Sequence, residues 1–386
     1  MEIDARKIKD IEVEEEDVST SEVITTPFNP SDIKLTTNPM NLGDLMEMID
    51  AGWINFGTDY QRNEDLWSNE QKSRLIESVL LGLRLPAFYF EEVSKRQWNI
   101  IDGLQRCCAI RDFCVKKEDS LQLQGLEFLE QFKGKIYADL PFAVKRDMRM
   151  LPITVNLLER DTPFEVKYIL FQRLNTGGLP LTPQEVRTAM FQGRVSQTER
   201  EMASYSEFLE AICHKIDFKR QEDRDFVSRF ISFYLLDFEQ YQPDLEKHIR
   251  EGLKKLRDGL SETEVERMKS DFRKSMRMAR KIFGDDAFRK RYDQNDRRRP
   301  LNKAYFEVIS TTLAKLDDDA LRQLTVKKEL LKENLLVLMQ SDRFWNSFSV
   351  GTGNRDCVLQ RFRGFRQAVD STLSNIAIEV NDDKRH

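Results

Sequence analysis

Apart from a short apolar stretch at Trp53 to Phe56, strand-like segments in this chain lie only within residues 87–158. From about residue 195 onward, the apolar positions repeat at helical spacing. Phe226, Phe230, Phe233 and Tyr234 show that spacing, as do Leu330, Leu331, Leu335, Leu336 and Leu338. A chain that separates the two periodicities folds as α+β, with a small mixed sheet and its helices first and a large all-helical domain after it. Its 386 residues suffice for two such cores. The expected division is an acidic mobile tail over 1–27, a sheet-containing domain over 28–194 and a helical domain over 195–386. The tail is assigned from Glu14-Glu15-Glu16-Asp17 and the Ser and Thr after it, which offer little to bury.

Ala87 to Glu91, introduced by Pro86, and Trp98 to Ile101 flank a turn near Ser94-Lys95 and are expected to pair as a hairpin. Met150 to Leu158 is a further strand, with Pro152 at a sheet edge or at the strand's own start. The strand ending at Ile101 runs directly into Asp102-Gly103 and then into a helix rich in buried-type residues, which makes a strand-to-helix elbow. Asp102 is expected to cap the helix through its side-chain oxygen while Gly103 permits the tight turn. The first helical N–H groups then point above the strand end, a corner that suits an anion. Gln105 and Arg106 in the first turn would add an amide and a planar cation for phosphate. A structural cap with an ordinary arginine fits the same residues.

Helix starts are well marked. Asn41 precedes an amphipathic helix with Leu42, Leu45, Met46 and Ile49, and Ser68 with Gln71 forms a capping box ahead of Leu75, Ile76, Val79 and Leu80. Thr162-Pro163-Phe164-Glu165 and Thr182-Pro183-Gln184-Glu185 are two starts of one form, separated by the turn Asn175-Thr176-Gly177-Gly178. That turn is expected to hold Arg173 and Asn175 on one side and Glu185 and Arg187 on the other. Residues 118–149 fit a short helix or irregular strands, broken at Pro141.

The net charge of −5 excludes a uniformly basic protein but not a local basic surface. Arg289-Lys290-Arg291 and Arg297-Arg298-Arg299 concentrate positive charge around Tyr292, either as a solvated helix end with interleaved aspartates or as a contact to a nucleic-acid backbone. No apolar run is long enough to span a membrane and the N-terminus lacks signal-peptide character, so a cytoplasmic location is expected. Cys107, Ile110 and Cys114 share a helical face and read as buried small hydrophobes. With no C-x-x-C pair, and with His214, His248 and His386 isolated, a zinc or histidine-metal site has no sequence support. Gly351-Thr352-Gly353-Asn354 lacks the lysine and preceding strand of a phosphate loop and reads as a connection between helices.

Three motifs follow one another at a telling spacing: Tyr60-Gln61-Arg62 with Trp67, Ile101-Asp102-Gly103-Leu104-Gln105-Arg106, and Phe171-Gln172-Arg173-Leu174-Asn175-Thr176-Gly177-Gly178 with Glu185 and Arg187. Together they resemble the N-terminal domain of GmrSD-type, modification-dependent restriction endonucleases, a domain related to the ParB/sulfiredoxin fold. The likeness runs over about residues 30–240, with Arg220, Asp225 and Arg229 resembling a later helical part. It implies a component of prokaryotic defence against phage or modified DNA. In that family the Asp-Gly-x-Gln-Arg segment is associated with nucleotide binding and hydrolysis. Carried over, that points to Asp102, Gln105 and Arg106 as catalytic and to Gln61, Arg62, Gly103, Arg173 and Asn175 around the nucleotide phosphates. An NTP, GTP or ATP, and a Mg²⁺ at Asp102 are the implied cofactors.

Two departures limit the resemblance. Leu104 stands where the family often has glutamine, and the HNH nuclease domain common in full-length members needs clustered histidines, whereas the C-terminal half has only the isolated His214, His248 and His386. Endonuclease activity is therefore not carried over, and a separate nuclease partner is expected. The sulfiredoxin likeness is one of fold, since the catalytic cysteine motif is absent. The leading expectation is a nucleotide-dependent sensor or regulatory protein. Its alternatives are a DNA-binding module without turnover, contacting backbone through Arg297, Arg298 and Arg299, and a metal-dependent nuclease using Asp102 with Glu185. Oligomeric assembly is compatible with each.

Overall fold

Strands β1 (Leu35–Asn41), β2 (Ile54–Asn55), β3 (Phe88–Ser94), β4 (Gln97–Asp102) and β5 (Pro152–Leu158) form one mixed sheet in the order β1-β5-β3-β4-β2. This is a computed structural model that describes residues 13–16, 34–56, 67–174, 182–216, 218–293 and 296–378. The expected hairpin is present, β3 and β4 pairing antiparallel from Tyr89 opposite Asp102 to Ser94 opposite Gln97. Parallel pairing joins β3 to β5 and β2 to β4, and β1 runs antiparallel to β5. Pro152 opens β5, which lies between β1 and β3, so the proline sits at the strand's own start and not at a sheet edge.

Strand β1 has no counterpart in the sequence reading. Its residues, Leu-Thr-Thr-Asn-Pro-Met-Asn, lack apolar alternation because an edge strand needs little burial, and the edge also tolerates Pro39. Side-chain pairing helps hold it, the Thr37 hydroxyl donating to Asn156 Oδ1 at 2.8 Å.

Helices of the first part are α1 (Leu42–Asp50), α2 (Asn69–Leu80), α3 (Leu104–Ile110), α4 (Phe142–Arg149), α5 (Phe164–Leu174) and α6 (Pro183–Met190). The capping boxes expected at Ser68/Gln71 and Thr182/Glu185 are both made. One face of the sheet, with Phe88, Phe90, Ile100, Ile153 and Val155, packs on Leu42, Leu45, Ile76 and Val79 of α1 and α2. Ile101 and Leu158 join Tyr168, Phe171, Val186 and Ala189 of α5 and α6 in a second cluster. Successive strand residues point to opposite faces, so the burial of both Ile100 and Ile101 means that helices cover both sides of β4 where it ends. Full burial of each such side chain contributes about 1.5–3 kcal/mol, which fixes the position of the strand end. The stretch 118–149, ambiguous in sequence, forms two short 3₁₀ turns, Glu130–Phe132 and Tyr137–Asp139, and then α4.

The chain divides into two compact units, Thr26–Met190 and Phe191–His386 with Met1–Thr25. The second unit contains α7 (Arg194–Ala203), α8 (Ser206–Ala211), α9 (Glu222–Leu235), α10 (Leu245–Asp258), α11 (Glu262–Phe283), α12 (Lys303–Lys315), α13 (Asp318–Val326), α14 (Lys328–Met339), α15 (Asp342–Asn346) and α16 (Arg355–Leu373). Its core is aromatic at α9, where Phe226 meets Phe306 at 4.9 Å and Phe230 meets Phe272 at 4.7 Å between ring centroids. Residues 351–354 join α15 to α16, as expected.

The acidic segment behaves differently from a mobile tail where it is described. Val13 bridges to Leu301 in the helical unit, and Glu14 and Glu16 make ion pairs with Lys290 and Arg229. Composition predicted solvation of these carboxylates, but buried cations supply the partners that allow them to dock.

Candidate functional site

At the elbow, Gly103 is the N-cap of α3 and adopts φ 104°, a left-handed conformation that disfavours residues with a side chain. A Cβ there would also lie 2.8 Å from the Phe88 ring and 3.2 Å from the Arg106 guanidinium. Glycine is therefore required twice over. This corrects the expected role of Asp102: no side chain caps α3, and Asp102 is the last residue of β4. Its carboxylate instead accepts from Arg106 at 2.7 Å, one helical turn on.

Arg106 clamps the elbow. Besides Asp102, its guanidinium donates to the carbonyls of Pro86 and Ala87, just before β3, and lies 4.5 Å over the Phe88 ring. The Arg106 side chain is only 12% exposed, whereas that of Asp102 is 31% exposed. Of this pair the carboxylate is thus the partner that faces water, and the arginine orients it. Gln105 is half-buried beside them, and Cys107 and Cys108 are buried behind them. Burial pushes the Cys107 thiol up from its ordinary range, as suits a packing residue, and Cys114 is pushed up to about 12 for the same reason.

Of the other expected site residues, Gln61, Arg62 and Asn175 lie outside the described residues. Arg173 is exposed near the end of α5. Glu185 and Arg187 are buried: Glu185 accepts the Thr182 N–H at 2.7 Å, and Arg187, 1% exposed, donates to Gln184 Oε1 at 2.7 Å and 3.0 Å. Glu185 thereby completes the capping box of α6.

The sequence reading missed a charged cluster farther along the elbow helix. Beyond Ile110 the helix continues as a π-helical turn, Arg111–Val115, and Asp112 there pairs with Lys72 at 2.8 Å, Lys116 at 2.9 Å and Arg111 at 3.0 Å. Burial alone would raise the Asp112 carboxyl, but hydrogen bonds from Lys72 and Lys116 outweigh it and hold the group below its ordinary value. Arg111 also lies 4.7 Å over Phe56. The available signal was Lys72, a charge on the apolar face of α2, which a soluble helix buries only with a partner.

No three His, Cys, Asp or Glu side chains converge as a metal site among the described residues.

In the helical unit, much of the basic 289–299 segment is used internally. Arg289 and Lys290 are buried, Arg291 pairs with Asp286, Arg298 donates to the Asp285 carbonyl and the Cys213 thiol, and Arg299 pairs with Asp296 while lying 4.9 Å over Trp345. Arg297 is exposed.

The first unit is thus a small mixed-sheet α+β domain organised on a strand–Asp–Gly–helix elbow, set in the chain before a helical unit. Residues 42–192 match the family model of the GmrSD restriction endonuclease, N-terminal domain. This part of the chain is therefore similar to a domain of restriction-type systems. Comparison with curated proteins and with solved structures gives no match. No helix among the described residues is long and apolar enough to cross a membrane.

Proposed function

We propose that the protein is a nucleotide-dependent sensor or regulatory component of a restriction-type defence system, and that the Asp102–Arg106 elbow is its nucleotide site. The observation that carries this reading is the partly exposed Asp102 carboxylate, held by Arg106 at a glycine that admits no side chain. Support also comes from the family match over residues 42–192, together with the nucleotide role that the resemblance implies for the Asp-Gly-x-Gln-Arg segment. In this reading Asp102 would hold the Mg²⁺ carried by the nucleotide or a water, Gln105 would orient that water, and the Gly103 turn would set both residues at the strand end. Arg106 acts as a positioning residue, a role different from the direct phosphate contact first expected of it. Arg173, with Gln61, Arg62 and Asn175, would complete the phosphate surroundings. DNA is the expected object of sensing, with cleavage left to a separate nuclease partner.

The test is NTP binding and turnover, with GTP and ATP assayed separately, for the protein and for Asp102→Asn, which keeps a hydrogen-bond acceptor for Arg106. Turnover is expected to fall about 100-fold or more, the loss typical for a positioned catalytic group. Equal turnover in a folded Asp102→Asn protein would remove Asp102 from the mechanism, and absence of both binding and turnover in the unaltered protein would remove the nucleotide.

A further inference from the structure

Segment Val13–Glu16 meets the helical unit as a bound peptide meets its receptor. The Glu14 N–H donates to the Leu301 carbonyl at 2.8 Å, and Val13 forms a parallel bridge with Leu301. Side chains then alternate as in a strand: Glu14 and Glu16 point into the protein, and Glu15 is exposed. The Glu14 carboxylate accepts from Lys290 Nζ at 2.7 Å and Asn302 Nδ2 at 2.9 Å. Glu16 takes both terminal nitrogens of Arg229, at 2.9 Å and 2.6 Å, and the Thr352 hydroxyl at 3.1 Å.

The receiving groups have anchors of their own. Asn302 caps α12 through the Tyr305 N–H and donates to the Phe348 carbonyl. Lys290 bonds Ser349 and lies 4.8 Å over Trp345, while Arg229 pairs with Glu307 and Asp225. Apart from the segment, the ion pairs that join these groups among the described residues link the cations Arg229, Lys303 and Arg361 with the carboxylates Asp225, Glu307 and Glu222. The segment's two glutamates complete the ion pairs of Lys290 and Arg229, and a preorganised receptor of this kind loses little freedom on binding.

We infer that the groove formed by Arg229, Lys290, Leu301, Asn302 and Thr352 is a binding site for an extended acidic peptide with glutamates two residues apart. The chain's own residues 13–16 fill it in cis, and the same chemistry receives such a segment in trans. A peptide is specified over a nucleic-acid backbone because the Leu301 carbonyl takes a main-chain N–H, which phosphate cannot offer.

The probe is a fluorescent peptide of residues 10–19, titrated against full-length protein and against the Glu14→Gln/Glu16→Gln protein, whose own segment competes poorly. Binding to the double variant is expected to be at least tenfold tighter than to the unaltered chain. It should also be at least tenfold tighter than that of a peptide with glutamine at both positions, and should weaken as salt rises. Equal binding of the two peptides, no saturable binding to the folded variant, or displacement by a DNA oligonucleotide but not by unlabelled peptide would overturn the inference. Should the double variant fail to fold, Glu14→Gln alone serves, since the Glu14 side chain is 31% exposed, and the same outcomes decide.

Discussion

Gly103 is a position where a single methyl group meets both a backbone and a packing constraint. Its φ of 104° and the 2.8 Å approach of the Phe88 ring both count against alanine. Gly103→Ala is expected to lower stability by about 2–3 kcal/mol, combining the cost of a disfavoured backbone region with the displacement of a buried ring. Chemical denaturation measures this, and a loss under about 0.5 kcal/mol, the range of neutral surface changes, would mean that the elbow relaxes freely. The glycine was legible in the sequence because an acid and a glycine between a strand and a helix have few uses. The roles of Asp102 and Arg106 were not. Capping of α3 by Asp102 was a sound local expectation, but Arg106 lies one turn away, and the Pro86 and Ala87 carbonyls that hold it come from a distant part of the chain. Such long-range partners leave no local trace.

Among elements, α2 does more than its periodicity suggests. Its apolar stripe and capping box could be read directly, and the structure has both. Its polar residues Ser73 and Glu77, one turn apart, could not be interpreted without knowing what crosses them. Ser73 accepts the Gln124 N–H, and the buried Glu77 carboxylate accepts those of Glu127, Phe128 and Leu129. Segment 118–140 gave no pattern because much of its position comes from these bonds to α2 and little from a repeat of its own. Burial by itself would raise the Glu77 carboxyl, but the three backbone donors outweigh it and hold it below its ordinary value. Removing the acceptor in Glu77→Ala should cost about 3 kcal/mol, the scale for lost hydrogen bonds to a charge that leave buried donors unpaired. Hydrogen exchange at residues 127–129 should rise well before that of β3 and β4. Unchanged protection there would show that packing, and not the carboxylate, places the loop.

For the molecule as a whole, the separation of strand and helix periodicities was enough to foresee an α+β chain, while the docking of its acidic N-terminal segment depended on buried cations far along the sequence. Acid should undo these arrangements in two stages. Glu16, Glu77 and Asp112 all have folded carboxyls below their ordinary values, so their contribution is present above about pH 4.5 and is lost as pH falls through the folded values. His248 acts at higher pH. It packs in α10 with its ring centroid 4.5 Å from that of Phe233 and 5.0 Å from that of Tyr241, and its Nε2 has no hydrogen-bond partner among the described residues. Burial first, and the charge of Arg361 second, lower its value from 6.5 to about 4. Between those limits the unfolded chain holds a proton that the folded chain refuses, so stability falls as pH drops from 6.5 toward 4, by about 3 kcal/mol at most from this group. His248→Leu, which fills similar space without titrating, should remove most of that slope while leaving the steeper carboxylate transition below pH 4.5. Denaturation at intervals across the range measures both stages, and an unchanged slope between pH 6.5 and 5 would assign the upper stage to another group.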